Sequence, residues 1–285
     1  MEKIAVLIDS TSFLSAELKK ELDIRTVYLN IVINNHSYKE IIDMTADKYY
    51  EYLRDTNNSF PTTSQPAIGE VVACLEKLKE EGYTDVIAIA LSSGISGACS
   101  SYTVAGLMVD GINVHPFDSE VSCKPEGWYA IKAANLIKEG KNSNQIISAL
   151  NEMKKVSKAY FMADDLSHLQ RGGRLSGAQA LVGSLLQVKP LLHFEDKIIV
   201  PFQKIRTYKK VVLRMYELFD EFYQEHKGEN IHVCVLHVDA IEKAHEIKEY
   251  LEDKYPDIAI EIDAISPVIS THLGLGAIGF GWTIL

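Results

Sequence analysis

The chain has 285 residues with hydrophobic types at 47% and charged types at 24%, ordinary globular composition that excludes a disordered or fibrous protein and suits two domains. A formal net charge of -10 argues against a nucleic-acid partner, which needs a basic footprint. Cys74, Cys99, Cys123 and Cys234 are far apart and form no CxxC pair, so neither a zinc site nor a redox dithiol is indicated, and a reducing cytoplasm is expected.

In chain order, apolar runs rich in Val and Ile alternate with amphipathic windows. The opening residues MEKIAVLIDS run straight into a strand-like segment, Ile4–Ile8, with no signal-peptide core or cleavage site. No run of about 18 or more apolar residues follows to span a bilayer. Further strands are predicted at Val27–Ile33, Val86–Leu91, Ile112–Phe117, Tyr160–Ala163, Ile231–His237 and Ile258–Ile262. Between them, Ser15 and Thr45 stand as helix caps, and the Ile68–Leu78 window carries Val71, Leu75 and Leu78 on one face and stops at Gly82. Ser143 is read as the cap of Ile146–Met153, and Tyr208–Tyr223 and Ile241–Leu251 complete the helices. Near-continuous apolar strands separated by helices predict an α/β fold with parallel sheet. Leu191–Phe194 and Lys197–Pro201 around Glu195-Asp196 predict an antiparallel hairpin. The Gly-rich tail from Ser266 to Leu285 has no assignable period. A shift in composition near Ser157-Lys158 divides the chain into residues 1–157 and 158–285.

The loops at strand ends carry the chemistry, because ligands of parallel α/β sheets sit there. They are small and hydroxylic: Asp9-Ser10-Thr11-Ser12, Pro61-Thr62-Thr63-Ser64-Gln65-Pro66, Ser92-Ser93-Gly94-Ile95-Ser96-Gly97 and Asp118-Ser119. Downstream lie Leu169-Gln170-Arg171-Gly172-Gly173-Arg174 and Thr271-His272-Leu273-Gly274-Leu275-Gly276. Short hydroxyls and glycines before helices hold anions well, although each loop alone is also what caps and turns look like. His272 sits off any apolar period, where its imidazole can donate to a carboxylate; a turn histidine satisfied by backbone is the alternative. His115, His193, His232 and His237 read as structural strand positions, and His226 and His245 as exposed helix positions. No metal-ligand spacing, no GxSxG elbow and no P-loop is present. Asp9 is read as a loop organiser, and Arg171 and Arg174 as structural or ligand-covering residues.

In order and spacing, these segments resemble the DegV family, and within it the fatty-acid-binding subunit (FakB type) of the bacterial fatty acid kinase system. The resemblance covers essentially the whole chain; Thr-Thr-Ser-Gln-Pro and Ser-Ser-Gly-Ile-Ser-Gly together carry most of it. It implies two α/β domains, the first with a small parallel sheet flanked by helices and the second with a mixed sheet, and a ligand pocket between them. It implies a carrier rather than an enzyme, without cofactor, metal or catalytic residues of its own. The carrier would hold one long-chain fatty acid and present its carboxylate to a separate ATP-dependent kinase. The acyl phosphate would feed phospholipid synthesis, with a membrane-associated acyltransferase as a transient partner. Carried onto this chain, Thr63, Ser93 and His272 hold the head group, Thr62, Gly94 and Ser96 lie close by, and Arg206 engages the kinase. The chain departs from the family's His-Thr-Gly-Pro-Gly pattern at His272-Leu273-Gly274-Leu275-Gly276, and Cys123-Lys124-Pro125 starts a helix with proline. A small-molecule enzyme or a ligand-sensing regulatory module using the same loops are the rival readings.

Overall fold

The computed structural model describes residues 2–175 and 189–285. Strands β1 (Ile4–Asp9), β2 (Ile24–Val27), β6 (Asp85–Ala90) and β7 (Asn113–Asp118) form a parallel sheet in the order β2-β1-β6-β7. Every residue of β1 and β6 is buried, as expected of strands covered on both faces. The chain leaves β1 toward β2 on one side and returns to β6 on the other. This creates a switch point at the carboxyl ends of β1 and β6.

A small antiparallel sheet stands beside it, with β3 (Asn30–Ile33) between β4 (His36–Lys39) and β5 (Thr62–Ser64). The continuous strand expected at Val27–Ile33 is therefore two strands. Tyr28-Leu29 carries the backbone out of the parallel sheet, so β2 and β3 find different neighbours. Flanking helices are α1 (Ala16–Glu21), α2 (Ala46–Arg54), α3 (Ile68–Glu80), α4 (Ala98–Gly106), α5 (Lys124–Lys138) and α6 (Ser143–Val156). Helix α3 buries Val71, Leu75 and Leu78 as its spacing requires, and Gly82 follows at φ 86°. Ser15 caps α1 by accepting the Leu18 N–H at 3.1 Å. Ser143 is not a cap: Asn142 is, closing a capping box with Gln145 at 3.0 Å in each direction.

The second sheet is mixed, in the order β10-β9-β8-β13-β11-β12. Its strands are β8 (Lys158–Met162), β9 (Lys189–Glu195), β10 (Ile198–Ile205), β11 (Ile231–His237), β12 (Ile260–Ala264) and β13 (Ile278–Ile284). Only β11 and β12 run parallel. The expected hairpin is β9–β10, and its two-residue turn places Asp196 and Lys197 both at positive φ, the backbone twist that matches paired strands. Strand β12 begins at Ile260, two residues after the expected Ile258, because Pro256-Asp257 lie in a turn and Ile258 in the bend that follows.

The tail that had no period becomes α10 (Pro267–Leu273) and the central strand β13. Gly281 is needed there, since a Cβ would lie 2.8 Å from the Pro125 ring of α5. One face of this sheet packs under α8 (Tyr208–His226) and α9 (Ile241–Lys254) through Phe219, Phe222, Trp282 and Tyr255. Strand alternation turns Phe161 and Leu236 to the opposite face, into the core shared with the first sheet. No helix among the described residues is long and apolar enough to cross a membrane.

Candidate functional site

Asp9 fixes the switch point. Its Oδ1 accepts the Thr11 N–H at 2.9 Å and the Thr11 hydroxyl at 2.6 Å, and Oδ2 accepts the Leu91 N–H at 2.8 Å. The ends of β1 and β6 are thereby tied together. Burial raises the Asp9 pKa against these donors. Glu126 of α5 stands 2.8 Å from Thr11 Oγ1, its own pKa pushed well above the carboxylate range by burial and then by the Asp9 charge. Asp9 is thus a loop organiser, as read from the sequence.

Between the two large sheets lies a cavity of about 290 Å³, near the lower end of the range of small-molecule sites, about 300 Å³. Its body is apolar: Leu29, Leu91, Phe161, Phe194, Ile199, Leu236, Ile265, Val268, Ile269 and Phe280. Its polar lining comprises Thr63, Ser64, Gln65, Ser96, Ser122, Arg174 and His272. Thr63 reaches the cavity because β5 alternates, turning Thr63 inward and Thr62 to solvent. The Thr63 hydroxyl lies 2.8 Å from His272 Nε2. His272 stands on the last turn of α10 and is 9% exposed. Burial first, and then the charge of Arg174 and His168, depress its pKa to about 3, so the ring is neutral. Nδ1 has no partner among the described residues. Because an orphaned N–H is rarer than an orphaned acceptor, the network assigns the proton to Nε2. His272 then donates to Thr63, and the Thr63 proton is free for an acceptor inside the cavity.

Positive charge comes from Arg174 instead. It is half-buried, and its Nε and Nη1 donate to the carbonyls of Ile95 at 3.0 Å and Gly172 at 2.5 Å. No carboxylate among the described residues pairs with it. Gly172 must be glycine, since a Cβ would overlap the His272 ring. Next to Ile95, Ser96 Oγ accepts the Ala98 N–H at 3.2 Å at the start of α4, leaving its own proton available.

The remaining residues expected at the site lie elsewhere. Ser93 is exposed, and both its N–H and its hydroxyl go to Asp118, which also pairs with Lys197 at 3.0 Å. Gly94 lies under the β9–β10 turn, where a Cβ would strike the Lys197 carbonyl. Arg206 is exposed beside Lys204, Lys210 and Arg214, in a separate shallow cleft between β10 and α8. The structure thus brings Thr63, Ser96 and His272 together, and leaves Thr62, Ser93, Gly94 and Arg206 off the cavity wall. Gln65, Ser122 and Arg174 line the cavity without having been selected as ligand contacts. Gln65 lies in the hydroxylic run at 61–66 and Arg174 in the loop read as structural or ligand-covering, whereas Ser122 had no signal of its own, because a wall position depends on strand parity and on which helix faces it. Among the described residues no cluster of His, Cys, Asp and Glu could hold a metal.

The sequence model described as an uncharacterised protein family, DegV, matches residues 3–284. Protein DegV of Bacillus subtilis is 50% identical over 280 residues, covering 98% of each chain. A DegV domain-containing protein of Listeria innocua is 46% identical over 283 residues, 99% of each. Among solved structures, that of DegV, a fatty acid binding protein from Bacillus subtilis, superposes with a TM-score of 0.94 at 49% identity, covering 100% of both chains. A fatty acid binding DegV family protein from Streptococcus agalactiae gives 0.91 at 29% identity, again over 100% of both. With a family match from residue 3 to residue 284 and relatives near half identity along their whole length, this chain belongs to the DegV family.

Proposed function

We propose that the chain is a carrier for a single long-chain fatty acid, with residues 1–157 and 158–285 as the two domains that enclose it. The observation that carries this reading is one apolar cavity that ends at a neutral His272–Thr63 pair beside the Arg174 guanidinium. Burying an acyl tail yields about 0.8 kcal/mol per methylene, roughly 10 kcal/mol gross for palmitate. Charge-assisted hydrogen bonds to the carboxylate add about 1.5–3 kcal/mol each. The tail therefore dominates affinity, while the polar end sets which way round the ligand lies. Neutral His272 passes its donor through Thr63 to the carboxylate, Ser96 offers a second hydroxyl, and Arg174 supplies the countercharge. The fatty-acid-binding relatives support the same ligand class.

Ser93 and Gly94, at the rim beside Asp118 and Lys197, become contacts of the head group's outer side, where a second protein gains access. The reading extends to that protein: an ATP-dependent kinase that phosphorylates the bound carboxylate, docking by way of exposed Arg206, with the acyl phosphate passing to phospholipid synthesis. Its support is the order of the motifs from Asp9 to His272. Organic extraction of the purified protein followed by mass spectrometry should yield a fatty acid in about equimolar amount. Calorimetric titration of the delipidated protein with palmitate should show saturable one-site binding, and no heat and no binding would overturn the reading. Addition of the kinase and ATP should convert bound palmitate to acyl phosphate, and turnover by the isolated chain would count against a carrier.

A further inference from the structure

Helix α10 supplies Val268, Ile269, His272 and Leu273 to the cavity, yet much of what fixes it comes from the other side of the molecule. Tyr49 and Tyr50 of α2 reach it near its ends. The Tyr49 hydroxyl is 2.5 Å from Thr271 Oγ1, and the Tyr50 hydroxyl donates to the Ile265 carbonyl at 2.5 Å. At its first turn stands Glu40, which is 0% exposed and does not line the cavity. Glu40 Oε2 accepts the Val268 N–H at 3.0 Å, and Oε1 accepts the Ser10 hydroxyl at 2.5 Å. Ser10 Oγ in turn accepts the Leu29 N–H at 2.9 Å. An unbroken chain of buried hydrogen bonds thus runs from the loop after β1, through Glu40, to the start of the helix whose far end carries His272.

A buried carboxyl is an expensive way to hold two elements together, since apolar residues of the same size do so at lower cost. Here burial, together with the Asp9 charge, pushes its pKa up to about 7. The other acids that bear on it are Glu126 and the Cys123 thiol, both pushed upward as well. What a charge offers at this position is a directional hold on the first free N–H groups of a helix, reinforced by the helix dipole.

We propose that Glu40 is a positioning residue for carboxylate recognition: by anchoring the first turn of α10 to Ser10, it sets where His272 meets Thr63. The proposal rests on the fatty-acid reading of the cavity. Apolar contacts with the tail are non-directional and tolerate a small tilt of α10. The His272–Thr63 hydrogen bond at 2.8 Å does not, because such bonds weaken steeply with misalignment. Loss of the anchor is therefore read at the head group rather than along the chain.

The test compares wild type, Glu40→Gln and Ser10→Ala at about pH 8, where Glu40 is charged, using palmitate and its methyl ester as competitors of a fluorescent fatty acid. Glutamine keeps the shape but not the charge, and Ser10→Ala gives the same readout should Glu40→Gln fail to fold. Palmitate should bind Glu40→Gln about tenfold more weakly, the equivalent of about 1.4 kcal/mol. Methyl ester affinity should be unchanged, so the preference for acid over ester falls about tenfold. Ser10→Ala should move it in the same direction. Equal losses for acid and ester, or no loss for either, would overturn the proposal and leave Glu40 a structural residue. Wild type that binds neither ligand would overturn the fatty-acid reading, and this proposal with it.

Discussion

Replacing Glu40 with glutamine also has a consequence for stability that needs no ligand. In the folded chain the Glu40 carboxyl is raised from 4.5 to about 7, chiefly by burial. A carboxyl that is easier to protonate when folded contributes stability that is fully present below its unfolded pKa and is lost as the pH rises through the folded value. At about 1.4 kcal/mol per pH unit, the loss comes to about 3 kcal/mol, most of it between about pH 5 and about pH 8. Glutamine does not titrate. The stability of wild type relative to Glu40→Gln should therefore fall by about 3 kcal/mol across that interval, a relative shift in Tm of roughly 5 °C for a chain of this length. The difference between the two proteins is the quantity to measure by thermal unfolding at each pH. Buried neutral His272, its pKa depressed to about 3, tilts both curves the other way and cancels in the comparison. Parallel pH profiles for the two proteins would refute the placement of Glu40 as a buried, strained acid.

Four further outcomes follow from the cavity. His272→Ala should weaken palmitate binding about 10- to 100-fold, as expected for losing a charge-assisted network, while the affinity for the methyl ester stays put; competition binding with both ligands measures this. Gly172→Ala should produce a similar selective loss without removing any polar group, because the new methyl overlaps the His272 ring; binding equal to wild type would show that the ring is not confined there. Gly279→Val places methyls between Leu236 and Phe161, whose Cβ atoms would be 3.4 Å and 3.6 Å from the new Cβ. Titration with both chain lengths should show palmitate weakened more than laurate. Arg206→Ala should leave palmitate affinity unchanged and slow acyl phosphate formation in the reconstituted kinase assay, since Arg206 is outside the cavity.

The sequence made the periodic parts legible. Segments such as Ile4–Ile8 and Val86–Leu91 are buried on both faces and read as strands from their apolar runs alone, and α3 and α8 show their buried faces at helical spacing. Where tertiary context decides, the reading was incomplete. Strand β13 alternates glycine with Phe280 and Trp282; glycine has poor strand propensity, and only the approach of Pro125 explains Gly281. Val27–Ile33 has the composition of one strand, yet it serves two sheets. At the site, the hydroxylic loops announced the polar end of the cavity, and Thr63, Ser96 and His272 do meet there. Which of two neighbouring hydroxyls turns inward is a matter of strand parity at Thr62-Thr63 and of the competing partner Asp118 at Ser93. Neither is written locally. Glu40 was invisible for the same reason, because Val268, the backbone donor it meets, is 228 positions away in sequence. Nor does composition reveal that Cys123, on the cavity wall, holds φ 64° and ψ -154°, a region ordinarily left to glycine.

The central claim is that one acyl chain fills the space between the two sheets with its acid group at Thr63. A crystal structure with a terminally brominated palmitate, located by anomalous scattering, tests it most directly. The account predicts a carboxylate within hydrogen-bond reach of Thr63 Oγ1 and near Arg174, with the bromine at the far end of the apolar cavity. Bromine at the Thr63–His272 end, or bound only on the protein surface, would contradict it.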